Sequence, residues 1–408
     1  MIAMDLASTG STLSYGHDRH AAAPRGAWTA VGAIGVGAFA LVTTEFLPVG
    51  LLARMAADLG VSEGRAGMMV TIPGVVAAIA AVLTIGLAGN TDRRRVMVFL
   101  LGMLALSNLI VAVAPNFETL LAGRVLLGIA VGGFWTVGGS LGPRLVPGRD
   151  MGRATSLILA GVSLGTVAGV PAGAWIGNLL GWRLAFAGAA VVALLVLVAV
   201  AALLPRLPAT GSGRLRELPR AASSPRVRIG LWGASLLFIG QFAAYTYIAP
   251  FLLQRTQVDA GTVTVLLLGF GVAGLLGNAL AGWAVGRNLL RALIATALVL
   301  FIAMVLMVLV GDSKPWAVAM VLVWGVGFGM LPVAVQTWIF SAAPDRLEAV
   351  QALFVSIAQA AIGIGALAGG LAADHFGVPS AMVLGASAVF TAAVLFSWKG
   401  RPGALPAR

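Results

Sequence analysis

Apolar residues fill this chain in runs of about twenty, each closed by a short polar connection, and the alternation recurs twelve times. The runs start near Trp28, Ala66, Val96, Thr119, Met151, Leu184, Ile229, Gly261, Ala292, Trp316, Ala349 and Ser380. At 1.5 Å per residue a helix of that length crosses a bilayer. The connections are short except for 205–228, which is rich in Arg, Pro, Ser and Gly and leaves six runs on either side. The pattern predicts an all-α integral membrane protein of twelve transmembrane helices. Its expected parts are a tail at 1–25, a six-helix bundle at 26–204, a linker at 205–228, a second six-helix bundle at 229–398 and a tail at 399–408. Residues 1–25 are polar, with no apolar core leading to a cleavage site, and read as a tail and not a signal peptide.

Composition removes most other classes. Of the 408 residues 60% are hydrophobic and 10% charged, with a mean hydropathy of +1.00, against about 25% charged in ordinary soluble domains. The chain has no cysteine, which excludes disulfides, thiolate zinc sites and Cys nucleophiles. His17 and His20 lie in the polar tail and His375 stands alone, so no metal site and no cofactor are expected. Nor does a Gly-Lys-Ser/Thr phosphate loop occur that would support ATP drive, and the spans carry no cluster of His, Asp and Glu that would suit an enzyme.

The net charge of +12 changes the picture through its distribution. Basic residues gather in the tails and the even-numbered connections: Arg19 and Arg25, Arg93 to Arg95, Arg144, Arg149 and Arg153, six between Arg206 and Arg228, Arg287 and Arg291, Arg346, and Lys399, Arg401 and Arg408. The odd-numbered connections hold only Arg54, Arg65, Arg183, Arg255 and Lys314. A bias of about four to one predicts a plasma-membrane protein with both termini cytoplasmic. It also reads as contact with anionic inner-leaflet lipid along 206–228 and not as nucleic-acid binding.

The second half repeats the first at an offset of 196. Gly86 falls on Gly282 and Arg95 on Arg291; Gly169, Gly173 and Gly181 fall on Gly365, Gly369 and Gly377; Glu45-Phe46 falls on Gln241-Phe242. Two parallel six-helix repeats about an axis along the membrane normal describe a secondary transporter, with its solute site near the midplane between them.

Three motifs stand in this frame. Gly86-Leu-Ala-Gly-Asn90-Thr-Asp92-Arg93-Arg94-Arg95 follows the second span; Gly123-Arg124-Val-Leu-Leu-Gly128 opens the fourth and runs on to Gly132-Gly133-Phe134-Trp135. The fifth span carries Gly161, Gly165, Gly169, Gly173 and Gly177 at four-residue spacing, with Pro171 among them. Together these resemble the gating loop, the membrane arginine motif and the antiporter motif of the major facilitator superfamily, the last being the mark of its drug:proton antiporter branch. Asn90 stands where the loop motif usually has Asp, and Arg93 where it has Gly, so Asp92 would take the acidic role. Thr44-Glu45-Phe46-Leu47-Pro48-Val49, Gly181-Trp182-Arg183, Gln241-Phe242, Thr246-Tyr247-Ile248 and Trp324-Gly325 look like stretches of the purine ribonucleoside efflux permeases, several of them shared with the sugar-efflux permeases.

Glu45 is the one acid expected well inside a span, and intramembrane ionisable groups are functional by default. It is the candidate proton carrier; the alternative is an acid fixed in a permanent salt bridge. Arg124 is the other deep charge. Glu45 is expected about 12 Å, and Arg124 about 8 Å, below the same face of the membrane. Arg124 would hold the ionised Glu45 in one conformation and withdraw in another, or else snorkel or bond backbone carbonyls. Trp135 shares a helix face with Arg124, Gln241 shares one with Tyr245, and Trp324, Gln336 and Gln359 are further polar or aromatic residues inside spans. Trp135, Gln241, Tyr245, Trp324 and Gln336 are the candidate solute contacts, suited to a planar, uncharged polar solute; packing is the alternative for each. The glycine row would bring a neighbouring helix close, and Pro171 supplies a kink.

The expectation is a monomeric, proton-coupled exporter of a small organic solute by rocking of the two bundles. A purine nucleoside, a sugar and a drug remain open as cargo, as does a polytopic protein that transports nothing.

Overall fold

The computed structural model describes residues 25–89, 91–138, 141–146, 150–208, 217–343 and 347–399. The tail before Arg25 with His17 and His20, Asn90, Arg149, Arg346, residues 209–216 of the linker and residues 400–408 lie outside the described residues. Among the described residues, twelve helices are long and apolar enough to cross a membrane: Gly26–Leu59, Glu63–Thr84, Arg93–Ala112, Phe117–Gly138, Ser156–Leu180, Trp182–Leu203, Pro225–Gln254, Ala260–Arg287, Leu289–Val310, Lys314–Ala342, Leu353–Phe376 and Pro379–Trp398. They are called spans one to twelve. The all-α, twelve-span expectation agrees with them.

Side-chain caps set several helix starts. Asp92 accepts from the Arg94 N–H at 2.8 Å, Asp259 from Thr262 at 3.0 Å and Asn288 from Arg291 at 2.9 Å, each meeting one of the N–H groups a helix start leaves open. Large apolar side chains such as Leu195, Leu276, Leu309 and Phe376 are exposed around the outside, as a surface solvated by hydrocarbon requires. Span one reaches further than the apolar run suggests. Its helix continues to Leu59, because Leu51, Leu52, Met55 and Ala56 keep one face buried past Pro48.

The repeat is visible in three dimensions. Span one packs on spans five and six, span two on four, and span three on four and six; in the second half span seven packs on eleven and twelve, eight on ten, and nine on ten and twelve. Gly181 and Gly377, 196 apart, both take positive φ, +96° and +84°. Each makes a turn between consecutive spans that a residue with a Cβ would strain.

The glycine row of span five meets span one in register. A Cβ on Gly161, Gly165, Gly169, Gly173 or Gly177 would strike Gly35, Phe39, Thr43, Leu47 or Leu51 in turn, a constant offset along two helices that run in the same direction. Gly365 meets Ile239, and Gly369 meets Ala243, in the same way in the second half. Residues four apart on an α-helix overshoot a full turn by about 40°. Span five takes up part of that drift through a wider π-helical segment, Gly165–Gly169, in which the Val170 N–H reaches back to the Gly165 carbonyl. Pro171 follows at once; it has no N–H to give, and its ring would crowd the carbonyl four residues back in a regular helix.

Span seven is interrupted too. Its helix stops at Tyr245 and restarts as Ile248–Gln254, because Pro250 cannot donate to the Thr246 carbonyl.

The two halves meet along span two with eleven and span five with eight. The first contact is made by glycines: Gly74 lies against Gly363 and the Gln359 carbonyl, and Gly64 against Gly370 and Asp374. Among the described residues, most hydrogen bonds between the halves lie at the end opposite Arg25, where the first helix begins, and Lys399, where the last one ends. There Ser62 Oγ and the Gly64 N–H donate to Asp374 (2.7 and 2.9 Å), Gln254 donates to Glu63 (2.9 Å), Asn178 to Thr264 (3.4 Å), and the Tyr247 hydroxyl, which also bonds the Ala366 carbonyl of its own half (2.9 Å), to Gly64 (3.4 Å). Deeper in, Ser356 donates to the Ala78 carbonyl at 3.0 Å.

Gly161→Ala is expected to destabilise the purified protein by about 1–3 kcal/mol through overpacking against span one. Gly188→Ala, where a Cβ meets nothing within 4 Å, is expected to change stability by less than about 0.5 kcal/mol. Thermal unfolding in detergent reads both.

Candidate functional site

Prolines in spans one and two create the demand that Arg124 meets. Pro48 lies inside span one and Pro73 inside span two. A proline leaves the carbonyl four residues before it without a helical donor, which is Thr44 in one case and Met69 in the other. The Arg124 guanidinium is fully buried and donates Nε to the Met69 carbonyl at 2.7 Å, and its two terminal nitrogens to the Thr44 carbonyl at 3.0 Å and the Glu45 carbonyl at 2.9 Å. One planar fork thus closes both proline gaps and ties spans one, two and four together. In hydrocarbon an open carbonyl has no water to turn to, so the bonds are worth more than their number suggests.

The Arg124 contact is therefore with the Glu45 backbone and not with its carboxylate. Among the described residues no ion pair involves Glu45. Glu45 is 4% exposed, and its carboxyl lies in the field of Arg124 and near the Gln359 amide of span eleven. Glu45 belongs to the first half and Gln359 to the second, so the two polar side chains face each other from different bundles. Gln359 Oε1 is buried without a partner among the described residues. Beside them Asn108 of span three donates to Thr44 Oγ1 at 3.1 Å.

Gln241, Tyr245 and Trp324 come together. Trp324 Nε1 donates to Gln241 Oε1 at 2.8 Å, and both residues are fully buried. The Tyr245 ring stacks on Phe270 at 4.9 Å and on Phe328 at 6.0 Å and meets Trp324 edge-on. Phe242 stacks on Phe46 of span one at 5.3 Å, which sets this cluster against the opposite half. The other two candidate contacts lie elsewhere. Trp135 sits within three residues of the end of its helix, edge-on to Phe134. Gln336 donates to Gln351 at 3.2 Å, about 18 Å along span ten from Trp324.

The loop motif also stays within its own half. Asp92 accepts from the Leu207 N–H at 3.3 Å as well as from Arg94, the Arg93 N–H donates to the Leu207 carbonyl at 2.9 Å, and Arg94 donates to the Ala201 carbonyl. Arg93 also reaches the Ala88 carbonyl, while Arg95 is exposed. Asp92, Arg93 and Arg94 thereby pin the end of span six and the start of the mid-chain connection to the start of span three. Gly161, Gly165, Gly169, Pro171 and Gly173 lie along the seam of spans one and five, next to the helix that carries Glu45.

Sequence reasoning left Phe46, Phe242, Phe270 and Phe328 out of the solute set, and Asp374, Glu63, Gln254 and Tyr247 out of the contact between halves. Phe46 and Phe242 coincide at the repeat offset, a signal that was available; the others carry none.

Arg124→Leu is expected to cost about 3 kcal/mol or more, because the buried Thr44 and Met69 carbonyls lose the donor that the prolines deny them and the Glu45 carbonyl loses its second donor. Pro73→Ala restores an N–H for Met69, so the double variant should recover part of that loss. Strict additivity in a thermal-unfolding cycle would count against the proline account.

Comparison with known proteins agrees with this geometry. Residues 34–364 match the family model of the Major Facilitator Superfamily. The purine ribonucleoside efflux pump NepI of Salmonella paratyphi A is 36% identical over 374 residues, 92% of this chain and 94% of that protein, and the NepI of Salmonella typhimurium gives the same figures. Among solved structures, a bacterial homologue of the human lysosomal transporter Spinster, inward-facing and occupied, superimposes with a TM-score of 0.72 at 16% identity, covering 91% of this chain and 96% of that one. The human organic anion transporter MFSD10 does so at 0.66 and 19%, covering 91% and 100%. With twelve spans, two matched bundles and these relatives, the chain belongs to the Major Facilitator Superfamily: it is a multi-pass membrane transporter and not an enzyme.

Proposed function

We propose that this transporter is a proton-coupled exporter of a planar, uncharged polar solute, with purine nucleosides as its first substrate class. The observation that carries the reading is the buried Glu45 side chain, without an ion pair among the described residues and near the Gln359 amide of the other half. A carboxylate only accepts hydrogen bonds, whereas a carboxylic acid also donates one. An amide offers both a donor and an acceptor, so Gln359 can hold Glu45 in either state by presenting one end or the other. Loading a proton on Glu45 then changes a bond that spans the two bundles, and that couples protonation to their rocking.

The plasma membrane holds the chain with both termini in the cytoplasm, on the strength of the arginine distribution. In that orientation the seal of Ser62, Glu63 and Gly64 with Asp374 and Gln254 lies on the outer side. Solute enters from the cytoplasm past Gln336 and Trp135 and reaches Gln241, Tyr245 and Trp324; the seal then parts and the solute leaves. Purine nucleosides are favoured as cargo by the names of the relatives and by the stacked rings around Gln241. A proton moving inward releases about 2.3 kcal/mol per 100 mV and about 1.4 kcal/mol per pH unit. Together they sustain a solute gradient of several hundredfold. The protein acts as a monomer, with inner-leaflet lipid against its basic connections.

Glu45→Gln is expected to reduce pH-gradient-driven uptake of inosine into everted vesicles by about 100-fold while leaving inosine binding within about threefold. Undiminished coupled transport in that variant would remove Glu45 from the mechanism.

A further inference from the structure

Gln241 has a fixed polarity. The indole N–H is a donor and nothing else, so the 2.8 Å bond from Trp324 obliges the amide to turn its oxygen toward the ring. The nitrogen is left on the other side, and it is buried with no partner among the described residues. A buried donor without a partner is costly, and this one sits in a residue with no exposed surface. Phe242, Tyr245, Phe270 and Phe328 form one ring cluster with Trp324, the ring that Gln241 bonds, and the Tyr245 hydroxyl makes no hydrogen bond to the Gln241 nitrogen among the described residues. Gln241 also lies one residue from Phe242, which stacks across the interface on Phe46.

We propose that the Trp324–Gln241 pair is a specificity device: Trp324 locks the amide so that it offers only N–H, and the transporter selects aromatic heterocycles that bring a hydrogen-bond acceptor on the ring edge. The ring stacks among the phenyl and phenol faces, which reward any flat π-system. The amide supplies the discrimination, because a solute carrying C–H or N–H at the matching position leaves the donor unpaired. Without Trp324 the amide can rotate to serve donor or acceptor, and the discrimination falls while stacking persists. Gln241 therefore contacts solute, and Trp324 is a positioning residue acting through it. The inference rests on the nucleoside reading given above.

The test is a binding panel on the full-length purified protein, read by calorimetry. Its ligands are inosine and three analogues that each lose one base acceptor: 3-deazainosine, 7-deazainosine and purine riboside, which lacks the six-position carbonyl and presents N1 as an acceptor in place of the N1–H donor. In the native protein one deletion should weaken binding by about tenfold, the others by far less. In Gln241→Met, which keeps the bulk but has no donor, the same deletion should cost less than about twofold. In Trp324→Phe the penalty should shrink while inosine still binds; Gln241→Met keeps the proposal exposed to refutation should the Trp324 variant fail to fold. Equal binding of all four ligands by the native protein, or an undiminished penalty in Gln241→Met, overturns the polarity proposal and leaves the exporter intact. No inosine binding at all overturns the nucleoside reading together with it.

Discussion

A helix in hydrocarbon must satisfy its own backbone, and this chain places a proline inside each of the two helices that flank Arg124. The guanidinium bonds with the Thr44, Glu45 and Met69 carbonyls are the constraint on which the rest of the first bundle depends. They hold span one at the height that presents Glu45 to Gln359 and Phe46 to Phe242. They also permit the prolines to remain, and with them the departure from regular helix next to the polar centre. A lysine in that position would bring three donors on a point charge and could not match three carbonyls on two helices with one plane. The guanidinium is therefore solvated by backbone carbonyls, and the Glu45 carboxyl forms no ion pair with it among the described residues.

Much of this was legible beforehand, for identifiable reasons. Span number follows from apolar runs, and the repeat from glycines and an arginine at constant offset, because lipid and close packing restrict composition severely. The glycine row announced a close neighbour, and its identity as span one follows once both helices are seen to run the same way. Arg124 and Glu45 were legible as deep charges. What they do was not, since donor and acceptor assignment depends on which carbonyls the prolines have left open and on where span one stops. Glu45 lies about 21 Å along its helix from Leu59, not about 12 Å from a nearer end. Trp135 and Gln336 show the limit of residue-type reasoning: both are polar or aromatic within spans, yet neither reaches the cluster of Gln241. Gln359 lay outside the leading set because an amide in a span signals nothing until its neighbour is known.

The two halves make different kinds of contact within and between themselves. Inside each half, spans one with five and seven with eleven pack backbone to backbone in register, and a step of one residue would bring side chains into the glycine gaps. Each half is held as a unit by that geometry. Between halves, the glycines of spans two and eleven allow close approach without interlocking side chains, and the directional bonds are concentrated at one rim. The packing that resists motion and the packing that permits it are thus built from the same residue type, used in different registers.

The Gly74–Gly363 contact sits about 16 Å along span two from Glu63. Treated as a fulcrum, it turns a tilt of about 20° between the halves, the mean inclination of membrane helices, into a displacement of about 5 Å at the rim. Hydrogen bonds fail within an ångström of their ideal length, whereas two smooth backbones can pivot through the same angle without separating. The leverage makes the rim cooperative: Asp374 would lose both of its donors in one movement, and the Gly64 N–H its only side-chain acceptor among the described residues.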